Sequence, residues 1–400
     1  MAMTADRRDW KANPFHVLAT CEAFEPGFRG GGPVRSVANI VDTVSERVDL
    51  SLVTRDRDLD SAQAYPGLSG EWVDRGRSRI FYLDKHSIGQ WLRLGCRLHA
   101  EEFDLLYVNS LWEPTFSLLA ILAVKLRILH AKAVLLAPRG ELSPGALALK
   151  GRKKRLFLRL WAPLLASMHV VWHASTTREA ADIVAVCPWA QVEVSMNQVA
   201  LPPEPTAVRG VNDGPLQIVF ISRISPKKNL ALVLAALRCV SGAVRFDIYG
   251  PVEDKEYWSR CERLISQMPG NVEVSYRGEV VPAAVRQTFA RYDAFVFPTL
   301  GENFGHVIAE SLSASCPVVC SDETPWTNVL ETGGGAVIRQ LDVGVLGREL
   351  ERLAGLTPAE RLRGRQAAGR AYRSWRRELR DENVLERARV ASECGHDAGG

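Results

Sequence analysis

A chain of 400 residues exceeds what one hydrophobic core usually organises, so two domains are expected, and its 46% hydrophobic content is ample for both. A net charge of +4 and the absence of any aromatic-interleaved basic repeat argue against nucleic-acid binding. No run of about 18 uncharged apolar residues occurs, and the opening MAMTADRRDWKANPF lacks the apolar core of a signal peptide, so a cytoplasmic protein is expected. The eight cysteines form no CxxC pair and no zinc-finger spacing, which reads as core thiols.

From Phe15 the chain alternates strand-like and amphipathic runs: HVLAT, SVANIVDTVSERV, DLSLVT, then IFYL. That rhythm is βαβ. Between the first strand and its helix lies PGFRGGGPVRS, residues 26–36, where Gly31 and Gly32 permit close backbone approach at a helix start that favours an anion. It is not the dinucleotide fingerprint, because GxGxxG fails at Arg35. A flexible surface turn is the plainer reading. Further strands are expected at 104–108, 133–137 and 169–173, and APRGEL after the second of these sets Arg139 at a strand end. Lys150–Arg159, KGRKKRLFLR, runs on into LWAPLL with Trp161. Such a stretch can lie on an anionic membrane, receive a phosphorylated acceptor, or simply be a solvated helix face. SMNQVALPPEP carries Asn197, after which periodicity is lost and Gly210, Asn212, Asp213 and Gly214 mark the linker.

The pattern then restarts with strands at 216–221, 245–249, 272–276, 293–298 and 317–320, and helices at 229–240 and from Pro282. Two successive doubly wound units imply a cleft between domains, with ligands at the carboxyl ends of strands. The first strand runs into SRISPKKNL, where Arg223 can fork onto phosphate oxygens and Lys228 supplies a compact charge. Gly250-Pro251 ends the next strand, and Val280 follows the one after. FPTLGENFGHVIAESL then places Glu302 and Glu310 at either end of a Gly-containing strand-to-helix turn. Backbone N–H groups there attract an anion, so two glutamates beside it call for sugar hydroxyls to bind. Otherwise Glu302 caps a helix and Glu310 is a solvated first-turn residue. The segment 358–392 should be helical and the tail ECGHDAGG disordered.

Glu302 to Glu310 resembles the E-x7-E signature of retaining GT-B glycosyltransferases, in particular glycosyltransferase family 4, and Asp322-Glu323-Thr324-Pro325-Trp326 is similar to that family too. The resemblance covers about residues 15 to 390. It implies an α/β GT-B fold, two Rossmann-like doubly wound domains facing each other across a cleft: 1–205 on the acceptor side, 206–375 binding the donor, and a helix over 376–392 returning to the first domain. It implies that Glu302 faces the transferred sugar, that Asn303, Phe304 and Gly305 bind sugar and phosphate through main chain, and that Glu310 holds the ribose. Arg223 and Lys228 match the family's Arg…Lys pair, Gly250 and Val280 its nucleotide-lining positions, and Gly31 and Gly32 its N-terminal loop. Arg139 stands where many members carry His-Gly; it would hold sugar hydroxyls or an acceptor phosphate, or pair with Glu141.

The implied activity is transfer, with retention, from a UDP- or GDP-linked sugar to a glycan or lipid-linked acceptor, as in polysaccharide or O-chain assembly. Neither metal nor other cofactor is expected, since the cations serve the departing diphosphate. Peripheral contact with the inner membrane face through Lys150–Arg159 accompanies this reading. The rivals are a GT-B nucleotide-sugar epimerase, a phosphorylase, or a nucleotide-sugar-binding scaffold without turnover.

Overall fold

A computed structural model describes residues 14–148, 151–197, 200–208, 210, 213–379 and 382–397. The chain divides into two compact units, one of Met1–Val199 with Asp381–Gly400, the other of Ala200–Arg380.

The first unit runs β1 (Phe15–Cys21), α1 (Gly32–Thr43), β2 (Val48–Arg55), β3 (Trp72–Arg75), β4 (Ser78–Leu83), α2 (Ile88–His99), β5 (Glu102–Asn109), α3 (Leu119–Lys125), β6 (His130–Ala137), α4 (Pro144–Ala148), α5 (Gly151–Ala166), β7 (Val170–Ala174), α6 (Thr177–Val186) and β8 (Gln191–Val194). Its strands lie in the order β3-β4-β2-β1-β5-β6-β7-β8. All neighbours pair in parallel except β3, which runs antiparallel to β4 at one edge. Parallel strands covered on both faces need continuous apolar runs, and Leu18, Leu106, Leu136 and Trp172 are almost wholly buried. Val37, Ile40 and Val41 of α1 pack on one face of the sheet, while Leu94 of α2, Ile121 of α3, Leu165 of α5 and Ile183 of α6 pack on the other.

The second unit runs β9 (Leu216–Ile221), α7 (Leu230–Leu237), β10 (Val244–Tyr249), α8 (Lys255–Ile265), β11 (Val272–Tyr276), α9 (Pro282–Phe289), β12 (Ala294–Phe297), α10 (His306–Ser313), β13 (Val318–Ser321), α11 (Thr327–Val329), β14 (Gly335–Ile338), α12 (Val343–Ala354) and α13 (Pro358–Glu378). All six strands are parallel, in the order β11-β10-β9-β12-β13-β14. This is doubly wound, with the direction of winding reversing between β9 and β12. Loops leaving those two neighbours diverge to opposite faces and leave a crevice at their carboxyl ends. The loops are Ser222–Asn229 and Pro298–Gly305.

After α13 the chain turns back into the first unit as α14 (Val384–Asp397). Val384 and Leu385 join the core that holds α1, and the Asn383 side-chain amide donates to the Ile40 carbonyl at 2.9 Å. The helix expected over 376–392 is α14, which runs to Asp397, and residues 398–400 lie outside the described ones. Among the described residues no helix is long and apolar enough to cross a membrane.

Candidate functional site

At the crevice of the second unit, Pro226–Lys228 form one 3-10 turn that Asn229 ends in a left-handed conformation, φ 59°. The neighbouring loop is laced onto that turn. Leu300 N–H donates to the Lys227 carbonyl at 2.9 Å and Thr299 Oγ1 to the same oxygen at 3.2 Å. The two chain segments being fixed together, Lys228 Nζ donates directly to Glu302 Oε1. Both side chains are nearly buried, at 11% and 14% accessible, and Nζ lies 5.4 Å from the Phe297 ring centroid. Thr299 Oγ1 also lies 3.2 Å from the same carboxylate oxygen, so its one hydroxyl proton is shared between that oxygen and the Lys227 carbonyl. Burial lowers the proton affinity of the adjacent Lys227 ammonium, opposed mainly by the Glu302 charge, and Lys228, Arg223 and Glu253 all act on it electrostatically. The three charged residues named by motif, Arg223, Lys228 and Glu302, therefore all act on Lys227.

Glu302 leads into the helix start. Gly305 caps α10 with φ 81°, a region natural to glycine, and a Cβ there would meet Ile308 Cδ1 at 3.1 Å. Among the described residues no acceptor takes the N–H groups of Asn303, Phe304 or Gly305. Phe304 is buried, and Glu310 is buried in the second turn of α10, so it is not the solvated residue that composition also allowed. Asn303 and Val280 are half-buried. Arg223 turns outward, forming an ion pair with Glu253 at 3.0 Å while both remain well exposed. Gly250 is held by packing: at φ 134° its Cβ would sit 1.9 Å from the Ser222 carbonyl oxygen, where β9 and β10 end.

The remaining named residues, Arg139, Gly31 and Gly32, belong to the first unit. Arg139 takes a left-handed φ of 53° just beyond β6. Its guanidinium donates to Asn109 Oδ1 at 2.7 Å, Tyr107 Oη at 2.7 Å and Asn197 Oδ1 at 2.5 Å. No pair with Glu141 forms; that carboxylate accepts from Ser110 Oγ at 2.8 Å and Leu111 N–H at 2.6 Å, and burial pushes it up to about 7. Behind Arg139, Tyr107 Oη lies 3.0 Å from His173 Nδ1, and His173 Nε2 lies 2.9 Å from the Ser195 carbonyl. A carbonyl only accepts, so Nε2 carries the proton and Nδ1 accepts from the tyrosine. Burial drops this histidine to about 3 and keeps it neutral. Tyr107, Asn109 and His173 were not singled out from sequence. Their signal was present as polar residues at inward positions of strands otherwise apolar, LLYVN and VVWHA.

Gly31 caps α1 at φ 66° with Gly32 opening the helix. The glycine loop is organised: Asp58 accepts from Phe28 N–H at 3.0 Å and Arg29 N–H at 3.3 Å. On α5, Arg152, Lys153, Arg155 and Arg159 face outward beside Leu156 and Leu160, which are 62% and 73% exposed. Lys154 instead turns inward, donating to the Ala146 carbonyl at 2.6 Å and lying 5.3 Å from the Trp112 ring centroid. Lys150 lies outside the described residues. Among the described residues no group of three or more His, Cys, Asp or Glu side chains could hold a metal ion.

Residues 204–366 match the model of the family glycosyl transferases group 1. O-antigen chain mannosyltransferase B of Escherichia coli is 29% identical over 124 residues, covering 29% of this chain and 31% of that protein. Phosphatidyl-myo-inositol mannosyltransferase of Mycobacterium leprae is 31% identical over 122 residues, with 29% and 31% covered. The matched stretches thus span under a third of these relatives. The crystal structure of Anabaena Alr3699/HepE in complex with UDP and glucose matches over 96% of this chain and 100% of that one, at a TM-score of 0.66 and 14% identity. At that identity the likeness shows the fold, which is GT-B with two Rossmann-like doubly wound domains.

Proposed function

We propose that this chain, whose residues 204–366 form a glycosyl transferases group 1 domain, transfers a sugar from a nucleotide donor to a hydroxyl of a glycan or lipid-linked acceptor in polysaccharide assembly. The observation that carries the reading is the nearly buried ion pair of Lys228 and Glu302 beside the unaccepted N–H groups of residues 303–305, at the carboxyl ends of β9 and β12. A fixed ammonium and aimed amides suit a diphosphate, and the adjoining carboxylate suits sugar hydroxyls.

In this reading Arg223, Lys228 and the amides of Phe304 and Gly305 stabilise the charge that develops on the departing diphosphate. These cations serve the phosphates, so the proposal asks no metal of the protein. Glu302 orients the sugar and favours an oxocarbenium-like state, Glu310 accepts from the ribose, and the acceptor hydroxyl attacks from the face the diphosphate leaves, giving retention. Arg139, braced by Asn109, Asn197 and Tyr107, presents a guanidinium of fixed orientation to sugar hydroxyls or an acceptor phosphate. Crystallisation of a structural neighbour with UDP and glucose supports a nucleotide-sugar donor, and the names of the two mannosyltransferase relatives favour a mannosyl group and an O-chain or lipid acceptor. The exposed Leu156 and Leu160 among outward cations support α5 as a contact with an anionic bilayer.

A panel of UDP- and GDP-linked sugars, scored by thermal stabilisation and then by nucleotide release with and without a lipid-linked oligosaccharide, tests this. Release that depends on acceptor is expected. Stabilisation without release under any acceptor would instead mark a binding scaffold. Replacing Arg152, Lys153, Arg155 and Arg159 with glutamine should move the protein off phosphatidylglycerol vesicles with its melting point kept, and undiminished vesicle binding would remove the membrane contact.

A further inference from the structure

Trp326 lies just before α11 and is 2% exposed. Its indole Nε1–H donates to the Phe304 carbonyl oxygen at 2.5 Å. Carbonyl oxygen and N–H of one trans peptide point in opposite directions, and the only cis bond among the described residues is Glu25–Pro26. Gripping the Phe304 oxygen therefore aims the Gly305 N–H away from the indole. That orientation would not hold itself, since a peptide next to glycine can rotate between wells at little cost. The indole is itself clamped. Its ring lies 4.6 Å from Trp375 of α13 and 5.7 Å from Phe304, and Trp375 lies 5.8 Å from Tyr372, whose hydroxyl donates to the Pro202 carbonyl at 2.6 Å. Gly305 leaves room for it: a Cβ there would stand 3.4 Å from Nε1.

We propose that Trp326 is a positioning residue for the donor diphosphate, which it does not touch: its indole N–H locks the 304–305 amide so that the Gly305 N–H is presented to a phosphate oxygen. The inference rests on the donor reading of residues 302–310. A ring that merely fills space would be replaced without loss by phenylalanine, whereas the role proposed needs the N–H.

The test is Trp326→Phe in the full chain, with UDP, GDP, uridine and guanosine titrated calorimetrically. The dissociation constant of whichever diphosphate binds the wild type should rise about tenfold, the worth of one charge-assisted hydrogen bond. Affinity for the matching nucleoside should stay unchanged, and the melting point should fall by no more than about 5 °C. Equal diphosphate affinity in the variant overturns the role of Trp326 and leaves the donor site standing. A wild type that binds neither diphosphate removes the donor site and this role together. Should the variant not fold, amide hydrogen exchange of Gly305 in the wild type decides: slowing by the diphosphate but not by the nucleoside is expected, and no slowing by either overturns the proposal.

Discussion

Lys228 and Glu302 share one hydrogen bond at 11% and 14% accessibility, so each charge depends on the other for what water would otherwise supply. Two unit charges about 4 Å apart attract by about 4 kcal/mol at an effective dielectric near 20. Lys228→Met keeps the stem but strands the carboxylate, whose remaining side-chain donor is Thr299 Oγ1 at 3.2 Å. It also loses the ammonium above Phe297, worth about 1 kcal/mol. Stranding one member of such a pair costs about 3 kcal/mol when fully buried, and this pair keeps some solvent, so about 2 kcal/mol is expected for Lys228→Met and a similar loss for Glu302→Gln. Combining them removes both charges, and the double variant should lose less than the sum by about 1.5 kcal/mol. Urea unfolding of the full chain reports this through Trp258, Trp326 and Trp375, all in the second unit. The same four proteins, titrated with UDP or GDP, should show that Lys228→Met also forfeits the stabilisation that nucleotide gives the wild type. If the two substitutions add to within about 0.5 kcal/mol, the side chains are not coupled and the pair is not the anchor of the crevice.

Gly250→Ala should destabilise by about 3 kcal/mol or more, because its Cβ meets the Ser222 oxygen at 1.9 Å and β9 must part from β10; a melting point within 2 °C of the wild type would refute the steric argument. Glu141 is held near pKa 7 by burial, against the usual 4.5. Between those values the unfolded chain has released a proton that the folded chain still holds, so this carboxyl's contribution to stability declines as pH rises through that window and is constant outside it. The stability difference between wild type and Glu141→Gln should therefore shift by on the order of 2 kcal/mol from pH 4.5 to 7, and a difference independent of pH would mean that folding leaves the proton affinity of this carboxyl unchanged. In the role proposed for it Arg223 would exchange Glu253 for a phosphate, and an exposed pair of this kind is worth at most about 1 kcal/mol. Glu253→Gln should hold or tighten diphosphate binding while Arg223→Ala weakens it about tenfold; equal weakening by both would make the pair itself the functional unit.

Much of the fold was legible because buried parallel strands need apolar runs and their ends need breaks, as at Phe297-Pro298 and Tyr249-Gly250-Pro251. The elements that escaped lack those marks. β3 has four residues, none fully buried, at an antiparallel edge. β14 opens on Gly335, whose Cβ would stand 1.9 Å from the Val318 oxygen, so the residue that reads as a breaker is the one the sheet requires. The Arg-rich stretch from Pro358 read as one continuous helix carries no glycine or proline where it divides. α13 ends at Glu378 with Leu379 extended, ψ 122°, and the reason lies in tertiary structure, since Val384 and Leu385 are needed in the other unit's core.

The site divides along the same line. Motifs named Lys228 and Glu302, yet 74 residues separate them, and no spacing rule brings such positions into one hydrogen bond. Winding order does so: β9 and β12 are neighbours although they are the first and fourth strands of their sheet, so the loops after each must open side by side. Arg139 shows the converse. Its loop was recognisable, but the bonds that fix its guanidinium come from Tyr107, Asn109 and Asn197, contributed by β5 and by the segment after β8, which no spacing in the sequence ties to Arg139. A buried polar side chain on a parallel strand must find a partner. The pattern LLYVN thus announces a network before its members are known, and its place at the carboxyl end of β5, beside β1 and β6, states where that network opens.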